Sequence, residues 1–126
     1  MFKTNLTRIM LILTLGLTGP AHAEILPPPA DGEAFWGLGA TGVLCYREPC
    51  PRHGVFPIHR DGTRGLPLSR IDQRQPPPLH GDERDRARIE DAFDSGGCVV
   101  VEGHFEGAVL VVLRLLGDCG EGAAAS

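Results

Sequence analysis

Lysine is almost missing from this chain. Lys3 is its one instance in 126 residues, and beyond Arg8 all positive charge is carried by ten arginines. GC-rich coding produces such a complement, so it reads as codon bias rather than selected guanidinium chemistry. Serine is scarce as well: after residue 23 it occurs at Ser69, Ser95 and Ser126, none within a G-x-S-x-G nucleophile elbow. There is no phosphate-cradling glycine loop and no H-E-x-x-H helix. The sequence therefore points away from an enzyme and carries no cofactor motif. The apolar run at residues 9–17 is too short to span a bilayer.

What that run does fit is export. Lys3 and Arg8 give a positive start, residues 9–17 an apolar core, and Ala21-His22-Ala23 a small-x-small cleavage site. Residues 1–23 are read as a secretory signal peptide with cleavage before Glu24, which predicts a periplasmic or secreted protein. No cysteine stands at the expected mature start, which argues against lipid anchoring there. Residues 24–126 would then hold one domain, with ten arginines, no lysine and sixteen acids. All four cysteines lie in this part, and an even count in a small exported domain predicts two disulfides.

The densest apolar stretch of the mature part runs from Cys98 to Cys119, broken by Gly103 and Gly107. It reads as a β-hairpin. A three-residue loop of Phe105, Glu106 and Gly107 would pair Val101 with Val111. Val99, Val101, Val109, Val111, Leu113 and Leu115 would then share one apolar face, opposite Cys98, Val100, Glu102, His104, Leu110, Val112 and Arg114. A half-buried sheet favours that register, and it gives Gly107 the loop position that needs positive φ.

Upstream, residues 24–33 contain Pro27-Pro28-Pro29 and are expected as a flexible leader. Residues 34–46 suit a first strand bent at Gly37, Gly39 and Gly42, and 47–54 a loop. Residues 55–60 suit a second strand before an Asp61-Gly62 turn, and 66–71 a third strand weakened by Pro67. Residues 75–81 read as a stiff connector. Asp82 is a candidate N-cap for a helix with Ile89, Ala92 and Phe93 on one stripe, stopped at Gly96-Gly97. Asp85 with Arg88 and Arg86 with Glu90 are at pairing distance on its outer face. Residues 120–126 form a small-residue tail.

Three strands, a helix and two more strands over residues 34–119 resemble the OB-fold, a five-stranded barrel with its helix between the third and fourth strands. The chain is similar to small exported bacterial OB-like domains. A four- or five-stranded open sheet carrying one helix is the alternative. In an OB barrel the first strand pairs antiparallel with the fourth, so the resemblance draws all four cysteines to one pole. It favours Cys45 with Cys98 and Cys50 with Cys119; a local Cys45–Cys50 ring with Cys98–Cys119 is the rival. The resemblance also makes the second and third strands the usual ligand face.

Charge gives that face some interest. Residues 47–74 hold six arginines against three acids, whereas ten acids meet four arginines from residue 75 onward. Arg47, Arg52, Arg60, Arg64 and Arg70 could hold an anionic small molecule, a glycan or an envelope protein. Tyr46, Phe56 and Trp36 could provide a stacking platform. A solvated face balancing the acidic helix is the plainer reading. An acidic exported chain counts against nucleic acid.

Cys45, Cys50 and His53 lie close in sequence, but their spacing is looser than paired zinc-ligand spacing, so disulfides are preferred to metal. His59 and His104 read as surface-face residues. The leading expectation is an exported, non-catalytic binding or envelope-stability module. An inhibitor or immunity-type protein, blocking an enzyme through the loop at 47–54, is the alternative, and a periplasmic metal binder is a further one.

Overall fold

Asp82 starts the one helix as expected: its carboxylate accepts from the Arg84 N–H at 2.8 Å, satisfying a donor that a helix start leaves free. The helix, α1, spans Glu83–Ser95 and stops at Gly96, whose φ of 76° suits glycine. Ile89, Ala92 and Phe93 are its buried stripe. On the outer side Arg88 pairs with Asp118 at 3.2 Å. The structure, a computed structural model, describes residues 26–120. The signal-peptide reading of 1–23 and the tail at 121–126 lie outside the described residues.

Five strands accompany the helix: β1 Ala34–Ala40, β2 His53–Ile58, β3 Leu79–His80, β4 Cys98–Glu106 and β5 Val109–Asp118. They form one mixed sheet in the order β2-β1-β4-β5-β3, with β3 parallel to β5 and the other pairs antiparallel. The sheet does not close, because β2 and β3 stand at its two ends.

The hairpin is present, but in another register than the alternation of its residues favours. Its loop has two residues, Gly107 and Ala108, between the paired Glu106 and Val109. Gly107 takes φ 59° at the first loop position, which a II′-type hairpin turn requires. Val101 faces Leu115, not Val111. The pairing slips between Glu102/Gly103 and again between Val100/Val101, leaving Leu113 and Leu116 without partners on β4. Each bulge reverses the inward parity of β5. Leu110, Val112 and Leu115 can therefore all reach the helix side, although a regular strand would turn Leu115 away from the other two.

The first core lies under the helix. Leu38, Val55, Ile89, Ala92, Phe93, Val99, Val101, Leu110 and Val112 are buried together, with Trp36, Leu79, Phe105 and Leu115 packed against them. Burying each larger aliphatic side chain contributes about 1.5–3 kcal/mol. Trp36 meets Phe105 edge to face, with centroids 5.2 Å apart, and its indole N–H donates to the Gly103 carbonyl at 3.1 Å. A second cluster of Phe35, Phe56, Ile58 and Val100 covers the opposite face, joined by Leu26, Leu116, Cys98 and Cys119. Both faces of the sheet centre are thus buried, which explains why Glu102, expected on an outer face, is 3% exposed.

Two other expectations need correction. First, β1 ends at Ala40 rather than Tyr46, because Thr41 anchors the departing loop. Its N–H donates to the Arg52 carbonyl and its hydroxyl to the Pro51 carbonyl, at 2.9 and 2.6 Å. Second, residues 66–71 are not the third strand; the two-residue β3 falls within the expected connector. The N–H groups of Gly65, Leu68 and Gln73 donate to the Pro57, Val55 and His53 carbonyls. Donors spaced three and five residues apart meet acceptors spaced two apart, so the segment covers the edge of β2 without forming a ladder. The described part of the leader, residues 26–33, is bonded to the fold at two points. The Leu26 N–H donates to the Arg60 carbonyl at 3.2 Å, and Glu33 meets His104 at 2.8 Å.

The disulfides are Cys45–Cys50 and Cys98–Cys119, which overturns the favoured long-range pairing. In register, Cys98 lies opposite Gly39, so Cys45 is already six residues farther along the loop. The end of β5, by contrast, returns to the start of β4. Asp118 pairs with Val99, and the Cys119 N–H donates to the Cys98 carbonyl at 2.8 Å. Among the described residues no helix is long and apolar enough to cross a membrane.

Candidate functional site

The arginines singled out by sequence are not all free for a ligand, because Arg52 and Arg64 are bonded within the fold. Arg52 is held by Glu48 at 2.7 Å within the disulfide loop. This hydrogen bond, and next the Cys50 N–H, holds the Glu48 carboxyl below the usual range; the same contact raises Arg52. Arg64 is built into the fold. Its Nη1 donates to the Thr41 carbonyl at 3.2 Å, its Nη2 to the Gly120 carbonyl at 3.3 Å, and its guanidinium lies 5.3 Å from the Phe56 ring centre. Arg60 offers its carbonyl to Leu26. Arg47 and Arg70 are exposed.

Nor do the aromatics form a platform. Phe56 is fully buried, with its ring against Gly37 where a Cβ would intrude. Trp36 belongs to the core under the helix. Tyr46 stands out into solvent from the disulfide loop. The positive residues of 47–74 are therefore partly structural, and Phe56 has no face left for a ligand.

A cavity of about 520 Å³ instead opens on the sheet face away from α1. Ile58, Val100 and Leu116 line it from the second cluster, with Leu26 and Pro27 on one side and residues 61–64 and 117–120 on others. Local chemistry sets each wall. The turn after β2 is fixed by Asp61, whose carboxylate accepts from the Thr63 hydroxyl at 2.6 Å and from its N–H at 2.9 Å. Those two bonds hold the Asp61 carboxyl below its ordinary value. Leu116 points to the cavity side, opposite its neighbour Leu115 in the core under the helix. Cys119 keeps the opposite wall beside Cys98.

Asp61 and Thr63 are bonded to each other, Arg64 to the Thr41 and Gly120 carbonyls, and Asp118 to Arg88. The walls that Leu26, Ile58, Val100 and Leu116 offer a guest are apolar. None of Leu26, Val100 and Leu116 is picked out by sequence pattern, since the bulge parity and the path of 26–33 decide their placement. A second hollow of about 660 Å³ lies between Pro76–Pro78 and α1 and carries Arg74 and Arg86 beside Glu90 and Asp94, a lining of mixed charge.

Two histidine–carboxylate pairs merit scrutiny as chemistry. His53 Nδ1 lies 3.0 Å from Asp72 Oδ1, which also accepts the His53 backbone N–H at 2.7 Å. Burial opposes the charged Asp72 carboxyl, but its bonds and charge interaction with His53 outweigh this and hold it low. The pair has the orientation of two members of a hydrolytic triad. The nearby Ser69 hydroxyl, however, is engaged with the backbone of Ile71 in both directions at 3.1 Å. His104 Nδ1 meets Glu33 at 2.8 Å and its Nε2 meets Glu106 at 3.2 Å, so both nitrogens are occupied. Arg114, itself exposed, gives Nε and Nη2 to the buried Glu102 Oε1, at 3.2 and 2.9 Å.

Among the described residues no three His, Cys, Asp or Glu side chains converge on a metal-sized site, and all four cysteines are in disulfides. No family model, curated protein or solved structure matches this chain.

Proposed function

We propose that this chain is an exported, non-catalytic binding module of OB-like architecture, and that its ligand enters the apolar cavity beside the end of β5. The cavity is the observation that carries the reading. It has the size of a small-molecule site, and Leu26, Ile58, Val100 and Leu116 give it apolar walls. The guest is an apolar group of moderate size rather than the compact anion suggested by the arginine count. Support for the OB-like architecture comes from the strand neighbours: β1 lies between β2 and β4, and β5 between β4 and a parallel β3. That is the arrangement of an OB barrel left open between its second and third strands. Support for export comes from the sequence of residues 1–23 and from two disulfides, which form in oxidising compartments.

Titration with a small apolar fluorophore, followed by nuclear magnetic resonance, tests the site. Saturable binding should shift the signals of Ile58, Val100 and Leu116, and Leu116→Trp should weaken it at least tenfold by filling the space. Pro27→Trp, on another wall and exposed, guards against a folding defect and should weaken it in the same direction. Shifts confined to the disulfide loop, or undiminished affinity in both variants, would overturn the assignment.

A further inference from the structure

Five of the six large hydrophobic side chains exposed among the described residues fall between residues 44 and 71: Leu44, Tyr46, Leu66, Leu68 and Ile71. They cluster in a segment whose arginines outnumber its acids, on a chain that is otherwise acidic. Scattered exposed leucines need no explanation, but this concentration does. Leu44 is 93% exposed and Tyr46 is at least as open as a free residue, at 108%.

The loop that carries them is built to hold its shape. Cys45 is bonded to Cys50, whose side chain is buried and whose N–H donates to Glu48 at 2.9 Å. Arg52 clamps the same Glu48, and Thr41 ties the base of the loop together. The edge segment converges on this loop. Its bonds run along β2 from Pro57 to His53, so Ile71 precedes the Asp72 that holds His53 at the loop's exit. Arg47 and Arg70 lie in these two stretches with no ion-pair partner among the described residues.

We propose that this end of the molecule seats the protein on an anionic lipid surface, with Leu44, Tyr46, Leu68 and Ile71 entering the interface and Arg47 and Arg70 meeting phosphate groups. The reading is independent of the cavity beside β5. Apolar side chains flanked by cations match a headgroup boundary, where tyrosine is favoured and guanidinium can bond phosphate in pairs. Leu44 and Tyr46 stand clear of the surface and Leu68 and Ile71 are more than half exposed, which suits a soft phase closing around single side chains. A rigid loop adds little ordering cost on binding.

Co-sedimentation of the secreted protein, both disulfides intact, tests this. One set of vesicles is phosphatidylcholine alone and another is mixed with phosphatidylglycerol. Association should be at least tenfold stronger with the mixed vesicles, and raised salt should weaken it. Leu44→Asp with Tyr46→Asp should reduce binding tenfold or more while leaving thermal unfolding unchanged. Arg47→Gln with Arg70→Gln should remove the preference for anionic lipid. Absence of binding to mixed vesicles, equal binding to neutral ones, or binding undiminished by the loop variant would each overturn the proposal. So would concentration-dependent self-association that the loop variant abolishes, because a second copy would then own this surface.

Discussion

His104 links three parts of the chain. Its Nδ1 is bonded to Glu33, just ahead of β1, and its Nε2 to Glu106, beside the hairpin loop. The hydrogen bond with Glu33, then that with Glu106, favours the imidazolium and raises the His104 pKa above its ordinary value. A base that binds its proton more tightly when folded stabilises the fold fully below its unfolded pKa of about 6.5. That contribution fades as pH rises through the higher folded value. The His104→Gln variant should therefore unfold at a lower temperature than the parent from about pH 5.5 to 6.5, with the gap narrowing towards alkaline pH. Thermal midpoints from that range up to alkaline pH check it, and a gap that widens with pH would sink it. Neighbouring Glu102 shows how much of such chemistry a sequence hides. In V-V-V-E-G-H it looks like the polar half of an alternation, yet it is buried beside Phe35 because Leu26, Leu116 and Cys119 help cover that face.

At the scale of elements, the hairpin turns on Gly103. It pairs with Val112 beside the first slip in register, and a Cβ there would fall on the carbonyl oxygen of Val111. Backbone cannot step aside as a flexible side chain does, so Gly103→Ala should cost about 2–3 kcal/mol through overpacking. Urea unfolding midpoints at unchanged slope would report that loss, and a midpoint equal to the parent's would mean that the bulge relaxes freely. The same bulges mark where element-level reading succeeds and fails. Helix α1 was legible because cap, acidic first turn, apolar stripe and glycine stop all lie within the helix and its flanks. The existence of β4 and β5 was legible from apolar runs ending in cysteines, but their register was not, since two unpaired residues change the parity of β5. Residues 66–71 lie along β2, but their irregular donor spacing withholds a ladder. At two residues, β3 is too short to have a period.

Across the whole molecule, neither disulfide joins distant units. Cys45–Cys50 spans five positions within one loop, and Cys98–Cys119 spans twenty-one within the β4–β5 hairpin. The chain-entropy account makes the longer closure worth about 3 kcal/mol and the shorter about 2 kcal/mol. Arrangement of the sheet therefore rests on its ladders and two cores, with β4 in the middle bonded to β1 and β5. Topology at the level of neighbouring strands could not settle the pairing, because a pole that gathers four cysteines admits several matches. The two extra residues of β5 help set the strand length that returns Cys119 to Cys98. Cys98→Ser with Cys119→Ser should lower unfolding free energy more than Cys45→Ser with Cys50→Ser, and should also weaken guests of the cavity that Cys119 lines. The second pair of substitutions should spare the cavity and loosen the loop bearing Leu44 and Tyr46. Combining all four should add the two losses to within about 0.5 kcal/mol if the two closed loops act independently. Urea titration of the three variants against the parent measures each sum. A reversed order, or a combined loss far from additive, would mean that the staples act through one shared unit.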